Sequence, residues 1–196
     1  MAYDVYTVSG VVLDVWNHKE WDKKFIFFSK EYGIINITAI GTQRPKSKMR
    51  GFINRFCFIE IDIVHGKTGY RLIRARSNIG GFLIHKKESY FVLSRVSKLF
   101  QGLLPDNAPH DDSFLLFVEL GKYLENNLII KDNINKIFYE TALRLLAILG
   151  YRESSILGSK LGNFNEFDLK INEISLIKEY ENILTENGLA DMINLS

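Results

Sequence analysis

The sequence predicts an α+β chain in which a five-stranded antiparallel β-barrel is followed by an α-helical bundle. Two observations support this prediction. Short β-branched and aromatic runs separated by turn residues fill residues 6–77. From residue 88 onward, apolar residues recur at helical spacing instead. We therefore expect two domains, one at residues 1–80 and one at residues 81–196.

The charge of the chain divides at the same place. Residues 1–87 contain 15 Lys and Arg against 7 Asp and Glu, whereas residues 88–196 contain 10 against 16. The formal net charge of +2 hides this asymmetry. A basic half joined to an acidic half predicts two modules that bind different partners.

Each expected strand follows from a local pattern. Residues 56–64 alternate, with Cys57 and Ile59 on the face that we expect to be buried and Glu60 and Asp62 on the other. The expected strands are 6–15, 25–28, 34–40, 56–64 and 70–77. Five short strands that close into a small barrel are most often an OB-fold.

The expected helices have recognisable ends. Pro105 stops the first helix, the Asp111-Asp112-Ser113 cluster begins the second, Asp132 is the expected cap of the third, and Gly150 ends it. The helices are predicted at 88–104, 114–126, 132–149 and 173–186. The Gly, Asn and Ser content of residues 154–172 predicts an irregular connection.

Several classes of function find little support. Cys57 is the only cysteine, so one chain makes neither a disulfide nor a cysteine-based zinc site. The four histidines are scattered, and Glu60 with Asp62 is more typical of a solvated strand face than of a metal site. We expect a cytoplasmic protein with no catalytic residues, metal or cofactor, and not an enzyme. The start of the chain does not resemble a signal peptide.

The most distinctive stretch is GTQRPKSKMRGFINRF at residues 41–56, which holds five cations and no acid. Further cations flank the predicted strands. Arg74 and Arg76 alternate onto one face, and Arg71 is expected on the opposite face. The predicted nucleic-acid-binding residues are Lys23, Lys24, Arg44, Lys46, Lys48, Arg50, Arg55, Lys67, Arg71, Arg74 and Arg76.

Three aromatic residues of the basic half, Trp16, Trp21 and Tyr32, are candidates for stacking on bases. A positively charged groove with aromatic platforms binds single-stranded nucleic acid without reading its sequence. For the two tryptophans, a place in the core or at a barrel end is an equally good interpretation.

The order of motifs in the first half resembles the RecO family of bacterial recombination mediators and DNA repair proteins. The similarity covers residues 3–152 and includes Leu103-Leu104-Pro105 and the Leu143–Tyr151 run in the second half. Its most specific part is Gly41 followed by Arg44-Pro45-Lys46-Ser47-Lys48 and Gly51. The other matching residues are Tyr6, Gly10, Leu13, Lys19–Lys23, Phe28–Gly33, Ala39, Phe56, Glu60, Gly66-Lys67, Leu72 and Ala75.

The resemblance implies an N-terminal OB-fold and an α-helical domain that bind single- and double-stranded DNA and anneal complementary strands. It also implies two protein partners, RecR and the C-terminal tail of single-stranded DNA-binding protein, a role in the RecA loading pathway, and a bacterial, nucleoid-associated location in the cytoplasm. Arg44, Lys46 and Lys48 would belong to the DNA-binding loop, with Ser47 supporting its turn. The sequence departs from the family at Lys48, where arginine is usual, at Arg76, where an acid is usual, and in lacking the four-cysteine zinc site of many members.

Two other functions remain open at this point. One is an RNA-binding OB-fold protein, because the same charges and rings serve either polymer. The other is a protein-interaction module that docks an acidic partner tail. In the acidic half, Arg95, Lys98, Arg144 and Arg152 are the cations expected to pair with such a peptide.

Overall fold

A computed structural model of the chain describes residues 4–66, 69–77, 86–151, 172–189 and 191–192. The chain forms two compact units. The first consists of Met1–Leu83 together with Leu104–Phe114, and the second of Ile84–Leu103 together with Leu115–Ser196. The domain boundary expected at residue 80 falls outside the described residues and stays a prediction.

The first unit contains the expected five-stranded barrel. Its strands are β1 (Val5–Asn17), β2 (Lys23–Ser29), β3 (Gly33–Ala39), β4 (Phe58–Gly66) and β5 (Gly69–Ser77). They follow one another around the barrel in the order β1-β2-β3-β5-β4, and β4 pairs with β1 to close it. The pairing of β3 with β5 is parallel, so the expectation of a wholly antiparallel sheet is wrong at this one seam. The seam is short, because only Ile37 and Thr38 pair across it.

Alternation along the strands fills the barrel. On β4, Ile59, Ile61 and Ile63 are buried, and they meet Phe25, Phe27, Ile35 and Ile37 from the opposite strands in one apolar cluster. Cys57 packs against this cluster while half-buried, and burial raises the pKa of its thiol. The residue therefore serves the core rather than a reactive site.

A bulge in β5 changes which side chains face outward. The β4–β5 pairing passes from Asp62 opposite Arg74 to Ile63 opposite Leu72, which leaves Ile73 as an extra residue. Such an insertion shifts the alternation by one position. Arg71 is consequently exposed, as are Arg74 and Arg76. The expectation that Arg71 lies on the opposite face was wrong because the sequence pattern does not reveal the bulge.

The segment Leu104–Phe114 packs on the β2–β3 hairpin. The Asn107 backbone N–H donates to the Ile34 carbonyl at 2.9 Å, within an isolated parallel bridge between Ile34 and Asp106. The Lys30 Nζ lies 3.1 Å from the Asp111 carboxylate. The segment thus occupies the part of β3 that does not pair with β5. The sequence pattern alone assigns this segment to the helical domain, because it lies between two helices along the chain.

The second unit is helical, as predicted. Its elements are α1 (Lys87–Leu103), α2 (Asp111–Asn126), a 3₁₀ turn at Lys131–Asn133, α3 (Ile134–Ile148) and α4 (Glu173–Glu186). The first residues of α2, through Phe114, belong to the first unit. The side chains from Ile137 to Leu146 of α3 are all buried, which confirms its expected central position. Asp132 lies within the 3₁₀ turn and is not the expected cap of α3.

The predicted irregular connection at residues 154–172 falls, except for Asn172, outside the described residues. In the described parts of the chain, no helix combines the length and the apolar character needed to cross a membrane.

Replacing Gly33 by alanine should destabilise the first unit. Gly33 has a φ of +65°, and a Cβ atom there would overlap the Ala108 carbonyl oxygen. We expect a loss of at least about 1 kcal/mol in the free energy of unfolding, measured by urea titration. Gly51→Ala is the matched control, because among the described residues other than its chain neighbours no atom lies within 4 Å of its Cβ position, so the free energy of unfolding should change by less than about 0.5 kcal/mol. Equal effects of the two substitutions would contradict the packing of the segment on the hairpin.

Candidate nucleic-acid interface

The basic loop, defined here as residues 41–56, is attached to one end of the barrel. It follows β3 and is held against the turn between β1 and β2. The Gly41 N–H donates to Asp22 Oδ1 at 2.8 Å, and the Gln43 N–H donates to the Trp21 carbonyl at 3.0 Å. The Gln43 side chain also donates to Asn17 Oδ1 at 2.6 Å. These contacts bring the loop and the β1–β2 turn together as one surface.

Consecutive turns shape the basic loop itself. The Ser47 N–H donates to the Arg44 carbonyl at 2.9 Å, and the Met49 N–H donates to Ser47 Oγ at 3.3 Å. Ile53 is completely buried in the barrel core and anchors the return of the loop to β4. The loop therefore has a defined backbone although its outer side chains are polar.

Four cations of the loop are exposed. They are Arg44, Lys46, Lys48 and Arg50. In the described part of the chain, no carboxylate lies within 4.0 Å of any of these four charged groups. A cluster of uncompensated cations produces a positive potential that attracts a polyanion.

Two other predicted cations near the loop, Lys23 and Arg55, support its structure. Lys23 Nζ donates to the Ile53 carbonyl at 3.1 Å, and burial, with Arg50 nearby, lowers the pKa of this amine. Arg55 Nε donates to the Leu13 carbonyl at 3.1 Å and lies 3.3 Å from Asp14 Oδ1. Both side chains therefore fix the basic loop to the barrel.

Arg74 and Arg76 form ion pairs on the outer face of β4 and β5. Arg76 lies 3.0 Å from Glu60 and 2.7 Å from Asp62, and Arg74 lies 4.0 Å from Asp62. The acids compensate these arginines, so this face is less available to a polyanion than the loop. Among the described residues, no group of three or more His, Cys, Asp or Glu side chains is placed to hold a metal ion.

A row of side chains crosses the outer surface of four strands next to the loop. Trp16 on β1 pairs with Lys24 on β2, Lys24 pairs with Thr38 on β3, and Thr38 pairs with Arg71 on β5. Trp16 and Arg71 are exposed, and Lys24 and Thr38 are half-buried. Directly paired residues share one face of a sheet, so these four residues form a continuous strip, here called the outer row.

The three aromatic candidates for base stacking do not all lie at the same end of the barrel. Trp16 and Trp21 are 41 % and 40 % exposed and lie at the end that carries the basic loop. Tyr32, in the β2–β3 turn, lies at the other end, with its ring 6.2 Å from Tyr6 and 5.9 Å from Tyr70. The expected grouping of Tyr32 with the tryptophans was wrong because successive hairpin turns lie at opposite ends of antiparallel strands.

The predicted peptide-binding cations occupy different environments. Arg144 is only 1 % exposed, and its guanidinium lies 2.6 Å from buried Glu140, so its expected role at the surface does not fit this position. Arg95 is half-buried over the Phe138 ring at 3.9 Å, and burial lowers the pKa of its guanidinium. Lys98 is exposed on α1. Arg152, like Lys67 of the barrel, lies outside the described residues.

The helical unit also contains a pocket of about 360 Å³ that sequence reasoning missed. It is lined by Lys87, Glu88, Phe91, Lys131, Ile134 and Asn135. Asn135 accepts a hydrogen bond from Arg95 at 2.8 Å and donates one to Glu173 at 2.9 Å, which ties the pocket floor to α1 and α4. Phe91 is exposed, whereas Val92, Val96 and Leu99 of the same helix are buried. The sequence shows only that Phe91 adds one apolar residue beside this buried stripe, and that was the available signal for the pocket.

The strand order and closure of the barrel define the class of this protein. A closed five-stranded barrel with the order β1-β2-β3-β5-β4 is an OB-fold. Residues 1–79 match the family model described as "Recombination protein O N terminal". These residues are therefore similar to the N-terminal domain of RecO, in agreement with the resemblance that the sequence motifs indicate.

Individual relatives extend the similarity into the helical unit. The DNA repair protein RecO of Pelotomaculum thermopropionicum is 25 % identical over 155 residues, which cover 75 % of this chain and 56 % of the relative. The protein of the same name from Desulforamulus reducens is 24 % identical over 147 residues, with 74 % and 56 % covered. That of Mesoplasma florum is 26 % identical over 132 residues, with 65 % and 47 % covered. The chain spans about half the length of these curated relatives.

Removing the paired arginine of the outer β4–β5 face should lower stability. Arg76→Ala leaves Asp62, whose side chain is 13 % exposed, with Thr7 and the more distant Arg74 as its remaining partners. We expect a loss of about 0.5–1 kcal/mol in the free energy of unfolding, which shrinks in high salt. Arg71→Ala is the control on the same strand, since no ion pair to Arg71 occurs among the described residues. A larger loss for Arg71→Ala would contradict this assignment.

Proposed function

We propose that this protein binds single- and double-stranded DNA through its basic loop. The observation that carries the proposal is the set of four exposed loop cations, Arg44, Lys46, Lys48 and Arg50, which no described acid compensates. Lysine and arginine that neutralise phosphates release condensed counterions, and this release favours binding to any nucleic acid strand. Lys24 and Arg71 extend the positive surface along the outer row.

The similarity of residues 1–79 to the RecO N-terminal model, and of the chain to DNA repair proteins named RecO, supports a role in DNA repair and recombination. In this role the protein anneals complementary strands and helps to load a recombinase of the RecA pathway. It works by binding rather than by bond-breaking chemistry, and it acts on the bacterial chromosome in the cytoplasm. A loop that binds phosphates of two strands lowers their mutual repulsion, which is the physical requirement for annealing.

The loop should contribute directly to the salt dependence of binding. In a Lys46→Ala, Lys48→Ala variant, the slope of log affinity against log salt should become less steep by about 0.7 for each phosphate of single-stranded DNA that the variant no longer neutralises. The measurement is fluorescence anisotropy of a labelled oligonucleotide over a series of salt concentrations. A parallel titration with RNA of the same length tests the alternative of an RNA-binding protein, which a preference for RNA would favour.

The matched control carries the same change of charge in the helical unit. Lys98 and Lys178 are exposed on α1 and α4. The Lys98→Ala, Lys178→Ala variant should keep the slope of the unaltered protein. If the loop variant folds with an unchanged unfolding midpoint and also keeps that slope, the basic loop is not the DNA site.

A second proposal concerns protein partners. Of the partners that the resemblance implies, RecR and the C-terminal tail of single-stranded DNA-binding protein, we assign the tail to the pocket of the helical unit. The pocket offers the exposed apolar ring of Phe91 beside Ile134, with Lys87 and Lys131 at its border. An acidic peptide with an apolar tip suits this combination, since buried apolar anchors supply most of the energy at such interfaces. Glu88, also at the border, limits the positive charge.

This assignment predicts which lysines matter for the peptide. Lys87→Ala with Lys131→Ala should weaken binding of a synthetic tail peptide by about three- to tenfold, as expected for two partly solvated ion pairs. Isothermal titration with the intact protein measures this affinity. Lys122→Ala with Lys178→Ala removes the same charge elsewhere and should leave the affinity unchanged. An absence of saturable binding up to about 100 μM peptide would contradict the assignment.

A further inference from the structure

The basic loop and the outer row differ in what they offer to a nucleic acid. The loop presents flexible cations, and cations contact phosphates, which single strands and duplexes share. The outer row presents the flat indole of Trp16, 41 % exposed, followed by Lys24, Thr38 and Arg71 on the next strands. An exposed ring can stack on a base only where the base is not already stacked and paired within a duplex.

The charged groups near the outer row do not oppose the binding of a nucleic-acid strand. None of its four residues is acidic, and the two acids nearest to it in the chain are already engaged. Asp14 accepts the Val15 N–H at 2.8 Å and pairs with Arg55, and Asp22 accepts the Gly41 N–H at 2.8 Å. Three strand spacings separate Trp16 from Arg71, a distance of about 14 Å. Along the strip, an aromatic ring is followed by a cation, a hydroxyl group and a second cation. The length of the strip suits a short, extended single strand of nucleic acid.

We propose that the outer row is the element by which this protein distinguishes single-stranded from double-stranded DNA, with Trp16 as the base-stacking residue and Lys24 and Arg71 as its phosphate contacts. This inference rests on the proposed DNA binding of the basic loop. The loop and the two cations of the row supply attraction to either form, and stacking on Trp16 adds binding energy for the single strand alone.

The test compares one oligonucleotide as a single strand and as a duplex of the same length. Trp16→Ala should weaken single-strand binding by at least about fivefold, and duplex binding by less than about twofold. Trp16→Phe, which keeps a ring, should recover most of the loss. Tyr6→Ala is the matched control, because Tyr6 is 42 % exposed but lies at the opposite end of β1 from Trp16, and this variant should retain both affinities.

A spectroscopic measurement locates the contact independently. The chain has two tryptophans, so in a Trp21→Phe variant the fluorescence reports on Trp16 alone. Single-stranded DNA should quench this fluorescence saturably, and the duplex should not.

The outcomes separate this inference from the proposed function. If the unaltered protein binds both forms but Trp16→Ala leaves single-strand affinity unchanged, or weakens both forms equally, the outer row is not the discriminating element and the loop proposal stands. Equal losses in Trp16→Ala and Tyr6→Ala also overturn the inference. If the unaltered protein binds neither form, the proposed function fails, and this inference fails with it.

Discussion

The candidate nucleic-acid interface depends on the hydrogen bonds between the basic loop and the β1–β2 turn. Four like charges in one loop repel each other, so the loop needs support that does not cancel those charges. The support comes from hydrogen bonds of loop N–H groups, Gly41 to the Asp22 carboxylate and Gln43 to the Trp21 carbonyl, and from Ile53 buried in the barrel. Because these anchors do not involve the exposed cationic side chains, the loop keeps a defined shape and a positive potential.

The cations of the barrel thus divide into those that hold the structure and those that remain available. Lys23 and Arg55 give their hydrogen bonds to the carbonyls of Ile53 and Leu13, and Arg76 is shared between two carboxylates. A cation that is already paired gains less from a phosphate, because the phosphate must compete with its present partner. The distinction explains why counting basic residues overstates the size of the interface.

Much of the fold and the centre of the site could be predicted from sequence, because both depend on local patterns. Alternation on β4 revealed the inward isoleucines, and the run from Gly41 to Phe56 revealed the loop. The rest depends on contacts between distant residues. The bulge at Ile73 that turns Arg71 outward is set by pairing with β4, and the burial of Arg144 is set by helix packing. The position of Tyr32 follows from connectivity rather than from its neighbours in sequence.

The segment Leu104–Phe114 has a consequence for the modularity of this chain. It packs on the β2–β3 hairpin, yet α1 separates it in sequence from β5. A gene fragment that ends after β5 therefore encodes all five strands without the piece that pairs with Ile34. Recombination between relatives at that point would exchange helices and, with them, part of the packing of the barrel. Because this short stretch lies between two helices in sequence but belongs to the first unit, the two units cannot be exchanged independently by a single crossover after β5.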